Sequence, residues 1–293
     1  MDAIKMHLFH TYRQKSHVSS IVVVAGPIMS MPLVEGTKAL AIIVMQQQVE
    51  DILFEYVEID NERIVVQLIS KERLSKYLQN NNQWNNSILE WLLRGEILLD
   101  TDQFWANTRK QVLSFPEELR DQKRFQEFVL FLQCYVQAKQ FFHEGHVLDA
   151  YSKVLLALHH WAHIVLIEEG IRPELAVWKQ LKHVHPGVYK LYEELSASPE
   201  SMEQRVQLVL LACEFTAINK LKGCCTHLFK IMKESDLPWS ISQLQQHPSM
   251  AVLQLDLAMV FQKLVQRAYV EEVAILSDLN VEWMEIRYKL VVE

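Results

Sequence analysis

The chain has 293 residues, 50% of them hydrophobic, enough for two or three domains with packed cores. Its formal net charge of −7 gives no global attraction to nucleic acid or to an anionic membrane, leaving only local basic patches to serve either. No apolar run approaches the roughly 20 residues that span a bilayer. His7, His10, Arg13 and Lys15 interrupt the stretch where a secretory leader would carry its apolar block. The four cysteines, Cys134, Cys213, Cys224 and Cys225, form no Cys-x-x-Cys pair, and Cys134 and Cys213 lie in apolar helical runs. The expectation is a soluble protein of a reducing cytoplasm, with structural thiols and no membrane partner.

In chain order, Ile4, Leu8 and Tyr12 stand at four-residue steps, a helix pattern. Ile21 to Ala25 is a β-branched run that reads as a buried strand and stops at Gly26-Pro27. After a turn-rich segment with Pro32 and Gly36, Leu40 to Met45 reads as a second buried strand. Two further β-rich runs, Ile52 to Ile59 and Arg63 to Ile69, flank the hairpin-like Asp60-Asn61-Glu62. Lys71 to Leu78 has helical spacing with Ser70 as its N-cap, and Trp84 to Leu93 is also helical.

Strand, glycine, connector and strand resembles the layout of nucleotidyltransferases of the polymerase-β type. That family carries a Gly-Ser pair and then two aspartates at i and i+2, which lie on one strand face and hold the Mg²⁺ ions of phosphoryl transfer. Placing Gly26 on the family's glycine puts Pro27 at its serine and Lys38 and Leu40 at its aspartates, while Gln67 stands where a third acid is expected. The expectation is therefore a degenerate carboxylate site with no metal, in which Gly26 and Lys38 bind nucleotide and Lys38 supplies part of the missing cationic charge. The alternative is an active, Mg²⁺-dependent transferase using Glu35, Glu58 and Asp60 as relocated acids. Gly95-Glu96-Ile97-Leu98-Leu99-Asp100 matches a Gly-x-x-Leu-x-Asp stretch that closes the catalytic domain in such relatives.

Ser114-Phe115-Pro116-Glu117-Glu118 combines an N-cap, a proline and first-turn acids, and a domain boundary is expected there. Helices follow to about Gly223. One runs to Phe142 and is broken at Gly145. The most apolar, Val147 to Glu169, is the expected centre of a bundle, with Leu148, Tyr151, Leu155, Leu158, Ala162, Val165 and Leu166 on its buried face. Gly170 ends that helix and Pro173 is expected to open the next, while Ser198-Pro199-Glu200 marks the start of a helix to Leu221. Along the central helix Asp149, Lys153, His160 and His163 form a narrow polar stripe, expected to face solvent or a groove, with Lys153 a second phosphate candidate. His159 and His163 have the i, i+4 spacing of zinc enzymes, but no accompanying Glu or third ligand is evident, so polar lining is the expected role.

Leu148-Asp149-Ala150-Tyr151, Ala157-Leu158-His159-His160-Trp161-Ala162, Val177-Trp178-Lys179-Gln180 and Tyr189 to Leu195 resemble the nucleotidyltransferase-like family of Gram-positive bacteria typified by the Bacillus YgxA type. The resemblance runs nearly end to end. It implies a nucleotidyltransferase-like N-terminal domain and bacterial origin, with no established substrate.

Toward the C-terminus, Ser240-Ile241-Ser242-Gln243 reads as a capping box, Ser249 to Arg267 as one helix, and Tyr269 to Val273 and Glu282 to Leu290 as two strands. Helix, helix and ribbon is a winged-helix layout. The recognition helix read over Ser249 to Gln262 holds no Lys or Arg, which disfavours DNA and makes a winged-helix nucleic-acid-binding regulator a further alternative rather than the first expectation. The expected class is α+β: a small mixed-sheet nucleotidyltransferase-like domain (1–115), a helical bundle (116–223) and a winged-helix-like module (224–293). A nucleotide, a protein partner and a second copy of the chain remain open as partners.

Overall fold

The computed structural model describes residues 1–15, 17–26, 37–47, 53–79, 87–174, 176–251, 253–276 and 283–291. Two units divide the chain, Met1–Ser114 and Phe115–Glu293. Glu35, Pro27, Pro32 and Gly36 lie outside the described residues.

The first unit opens with helix α1 (Asp2–Tyr12), then strands β1 (Val18–Ala25), β2 (Thr37–Met45), β3 (Leu53–Ile59) and β4 (Glu62–Ser70). Helices α2 (Lys71–Gln79) and α3 (Ser87–Arg94), strand β5 (Glu96–Asp100) and helix α4 (Phe104–Ser114) complete it. The sheet runs β3-β4-β2-β1-β5. It is mixed: β2 and β4 are parallel, and the other pairs are antiparallel. Ile4 and Leu8 of α1 cover one face with Ile21, Val23, Ile43 and Val66. The other face packs Val22, Leu40, Ile42 and Val65 against Leu74, Trp91 and Trp105 of α2, α3 and α4. Covering both faces is why β1 and β2 read as unbroken apolar runs rather than alternating ones.

Local chemistry sets the joints of this unit. The β3–β4 turn places Asp60 at φ 52° and Asn61 at φ 60°, a left-handed pair that Asp and Asn tolerate and that matches the strand twist. Ser70 caps α2 by accepting the Arg73 N–H at 3.2 Å. At the entry to β5 only glycine fits at position 95, because a Cβ would run into Val22 and lie 2.7 Å from the Trp91 carbonyl.

The second unit contains α5 (Glu117–His143), α6 (Val147–Glu168), α7 (Val177–Val184), α8 (Pro186–Ala197), α9 (Met202–Cys224), α10 (Thr226–Met232), α11 (Ile241–Gln246), α12 (Pro248–Ala251) and α13 (Ala258–Gln266). Strands β6 (Val270–Leu276) and β7 (Met284–Leu290) form an antiparallel ribbon. Gly145, at φ +82°, turns α5 back into α6. One hydrophobic cluster runs from Phe125, Phe128 and Phe131 through Leu158 and Val209 to Leu244, Phe261 and Val270, so the bundle and the terminal module share a core. A bridge between Trp239 and Tyr288 adds a short third edge to the ribbon, completing a winged-helix arrangement.

Five local expectations are corrected. Ser114 is the last residue of α4, a helix the sequence reading passed over, and its hydroxyl donates to the Gln111 carbonyl. Phe115 at φ +40° breaks the chain and Pro116 becomes the N-cap of α5. Pro173 opens no helix: the Gln180 amide donates to the Arg172 carbonyl and accepts the Glu174 N–H, which ties residues 172–174 down outside a helix until α7 begins at Val177. The cap of α9 is Ser201, reciprocally bonded with Gln204, rather than Ser198. The single C-terminal helix is two, because Leu253, Leu255 and Leu257 are buried alternately and Asp256 accepts the Ala258 N–H to start α13. On α6, Leu148 is 70% exposed, and the inner face belongs to Ala150, Val154, Ala157 and Leu158.

Candidate functional site

The end of the sheet at which β1 stops and β2 and β4 begin gathers most of the sequence-predicted nucleotide residues. Gly26, at φ +88°, donates its N–H to the Lys38 carbonyl at 3.2 Å. The Lys38 ammonium lies 3.6 Å from the Glu62 carboxylate, with both side chains exposed. Asp60 sits at the tip of the neighbouring hairpin, and Glu58 is exposed on β3 opposite Arg63. Glu62 was not singled out from the sequence, and only the β2–β4 pairing reveals its contact with Lys38.

The positions resembling the catalytic acids are filled differently. Leu40 is fully buried and pairs with Val65. Gln67 is 2% exposed, pairs with Ile42, and its Oε1 has no hydrogen-bond partner. That face is a hydrophobic layer, not a solvated carboxylate cradle, and the residues there do not fit Mg²⁺. Two aspartates at the opposite end of the sheet, where β1 begins, are committed elsewhere. Asp100 accepts the Ser20 hydroxyl at 2.8 Å and the Trp105 and Ala106 N–H groups at 3.2 and 2.9 Å, so the acid of the Gly-x-x-Leu-x-Asp stretch caps α4. Asp102 accepts the Ser19 hydroxyl at 2.8 Å and pairs with Lys71. Burial acts to raise its carboxyl, and Lys71 and Ser19 outweigh burial to hold it below the usual range.

The second assembly lies in the bundle. Glu127, on α5, is 3% exposed, and its Oε2 stands 2.7 Å from His160 Nδ1 and 3.2 Å from His163 Nδ1, both on α6. Among the described residues these three are the one group of His, Cys, Asp or Glu whose ligand atoms lie within 4.8 Å of one another. Burial pushes the Glu127 carboxyl up, but the facing imidazoles His163 and His160 bring it down to about 2. Burial pushes His160 down, and its hydrogen bonds with Cys134 and to the accepting Glu127 carboxylate reverse this and raise it to about 9. His159, whose ring centroid is 4.4 Å from that of His163, is lowered by burial and its two histidine neighbours to about 4. Beneath them Lys123, 1% exposed, is brought by burial to about 7.

The stripe expected on α6 is thereby corrected. Asp149 is exposed and Lys153 half-buried, but His163 is buried and His160 mostly so, because both turn inward toward the Glu127 carboxylate. The histidines that face one carboxylate oxygen are His160 and His163, three apart, not His159 and His163. The missed residue, Glu127, did leave a signal: a carboxylate inside the apolar run Phe125 to Phe131 requires a buried partner.

Two further features belong to the terminal module. A groove of about 690 Å³ lies between α5, α9 and α13, with Tyr135, Met259 and the Lys139–Glu214 pair (3.0 Å) among its walls. Helix α13 itself carries Lys263, and Arg267 follows it, so the bounds Ser249 to Gln262 understated its positive charge. Lys222, Lys233, Arg267 and Lys289 stand around a second cavity of about 420 Å³ with Asp236 and Tyr269.

Comparison with known proteins agrees with this fold. Residues 1–120 match a family model described as nucleotidyltransferase-like, residues 121–220 one described as a YgxA-like substrate binding domain, and residues 226–280 one described as a helix-turn-helix domain. A crystal structure of a nucleotidyltransferase-like protein from Exiguobacterium sibiricum 255-15 is similar at TM-score 0.85 and 25% identity, covering 99% of each chain. The molecule is therefore a nucleotidyltransferase-like fold joined to a helical substrate-binding domain and a helix-turn-helix domain. The protein YgxA of Bacillus subtilis (strain 168) is 30% identical over 238 residues, 81% of this chain and 80% of its own length. The chain belongs to the YgxA family.

Proposed function

We propose that the nucleotidyltransferase-like unit is a degenerate, non-catalytic member of its fold that binds a nucleotide phosphate, with Gly26 and Lys38 as the contacts. The observation that carries this reading is Leu40, fully buried in an apolar layer beside an amide, Gln67, where the resembled layout has acids. Phosphoryl transfer needs charge neutralised at the transferring group. A lysine can hold a phosphate but cannot replace two ions that clamp both the attacking and the leaving oxygen. The exposed Lys38–Glu62 pair is worth at most about 1 kcal/mol, so a phosphate can displace Glu62. Lys153 remains the candidate phosphate contact on the helical unit. No helix among the described residues is long and apolar enough to cross a membrane, which fits a cytoplasmic nucleotide binder of a bacterial cell.

A thermal-shift screen with the four nucleoside triphosphates tests this. Ligand at 100 times its Kd should stabilise the protein by about 2.7 kcal/mol, without need of Mg²⁺, and Lys38→Ala should reduce the shift. Mg²⁺-dependent transfer abolished by Glu58→Ala or Asp60→Ala would replace this reading with an active transferase. No shift with any nucleotide would leave a protein partner or a second copy as the ligand.

A second reading, nucleic-acid contact by the helix-turn-helix domain, is supported by the cations Lys263 and Arg267 at the end of α13. Its mark would be a salt-dependent shift of labelled duplex DNA, weakened by Arg267→Ala.

A further inference from the structure

Buried carboxylates and imidazoles rarely converge without a reason, because each must be desolvated and the low-dielectric interior magnifies any unpaired charge. In the second unit Glu127, His160 and His163 converge on a single carboxylate oxygen. Their ligand types suit a borderline divalent ion: two imidazoles and one carboxylate, the set used by open zinc sites and by other first-row metals. The spacing is also close to what an ion needs. Ligand atoms about 2.0–2.2 Å from a tetrahedral ion are roughly 3.3–3.6 Å apart. The Glu127–His163 separation of 3.2 Å nearly meets this, and the Glu127–His160 separation of 2.7 Å must open by less than about 1 Å.

We propose that Glu127, His160 and His163 form a binding site for one divalent transition-metal ion of the zinc class, through Glu127 Oε2 and the Nδ1 atoms of the two histidines. Three protein ligands leave a fourth position open, the mark of a site that receives an oxygen ligand rather than one that only staples the fold. The site spans α5 and α6, and Glu127, His160 and His163 all fall within residues 121–220, which match the substrate-binding family model. His160 lies at the rim, with its side chain 19% exposed against 4% for Glu127, so entry is from the His160 side. Around the site, Cys134 hydrogen-bonds His160, and the His159 ring lies against His163. The nearby ammonium of Lys123 opposes a cation, but burial already makes its proton easy to lose near neutrality.

The test uses the full chain treated with chelator and titrated first with Co²⁺, whose visible bands report coordination, and then with Zn²⁺ by calorimetry. One equivalent is expected, displaced by Zn²⁺ and accompanied by a rise in Tm. His160→Gln should weaken binding at least tenfold, while His7→Gln/His10→Gln, exposed on α1, should leave it unchanged. Because Glu127→Gln or His163→Gln can cost the fold, ¹⁵N NMR of the wild-type histidine rings supplies a measurement without a variant: His160 and His163 Nδ1 should shift together at one equivalent of Zn²⁺. Absence of binding, unshifted rings, or binding that survives His160→Gln and disappears in the α1 variant would overturn the proposal.

Discussion

At the residue scale, the decisive side chains are those whose partner is distant in sequence. His160 is raised to about 9 by Cys134 and Glu127 against the pull of burial. A group with a raised folded pKa contributes stability that is complete below its unfolded value near 6.5 and lost as pH rises through about 9. His160→Gln should therefore destabilise the metal-free protein most at about pH 6, by about 1–3 kcal/mol, and hardly at all above about pH 9. Denaturant melts across that range check it, and a difference independent of pH would show that His160 stays neutral. His159 works in the opposite direction: burial holds it near 4, so its contribution falls as pH drops from about 6.5 toward 4. Taken by themselves the two histidines oppose each other, His160 losing its contribution as pH rises above about 6.5 and His159 as pH falls below it.

At the scale of elements, α6 shows how periodicity and burial part company. Its wide apolar face was legible in the sequence, but an apolar residue at each end of that face need not be covered. Leu158 is fully buried at the junction of α5, α6 and α9, Leu155 is only half-buried, and Leu148 is exposed. Leu158→Ala should cost about 2–5 kcal/mol by emptying a packed site, whereas Leu148→Ala should change stability by less than about 0.5 kcal/mol. Urea denaturation of both variants measures the contrast, and equal losses would remove α6 from the centre of the bundle. Strands β1, β2 and β4 were legible because doubly covered strands are continuous β-branched runs. Helix α4 was not, because the carboxylate that caps it belongs to Asp100 on the preceding strand. The break between α12 and α13 was missed because Leu253, Leu255 and Leu257 alternate at period two inside a stretch that also satisfies helical spacing.

At the scale of the whole molecule, the two units differ in how much of their cores they share with their own parts. The bundle and the winged-helix module lean on one hydrophobic cluster running from Phe125 to Val270, and Lys230 on α10 bonds Asp121 on α5 at 2.8 Å. Removing residues 226–293 should expose Leu221, Cys224 and Cys225 and turn the cooperative unfolding of the bundle into a broad transition by calorimetry. A sharp, undiminished bundle transition in the truncated chain would mean the shared cluster contributes little. The sequence by itself determined the class of this protein. Continuous β-branched runs specified a buried mixed sheet, and helical apolar faces specified a bundle. Those signals are local, carried by a few neighbouring residues or a short period. Only the tertiary structure decided that Glu62 faces Lys38 and that Glu127 draws in His160 and His163 from 33 and 36 residues away, because those contacts are made by strand pairing and helix packing, which no local periodicity encodes.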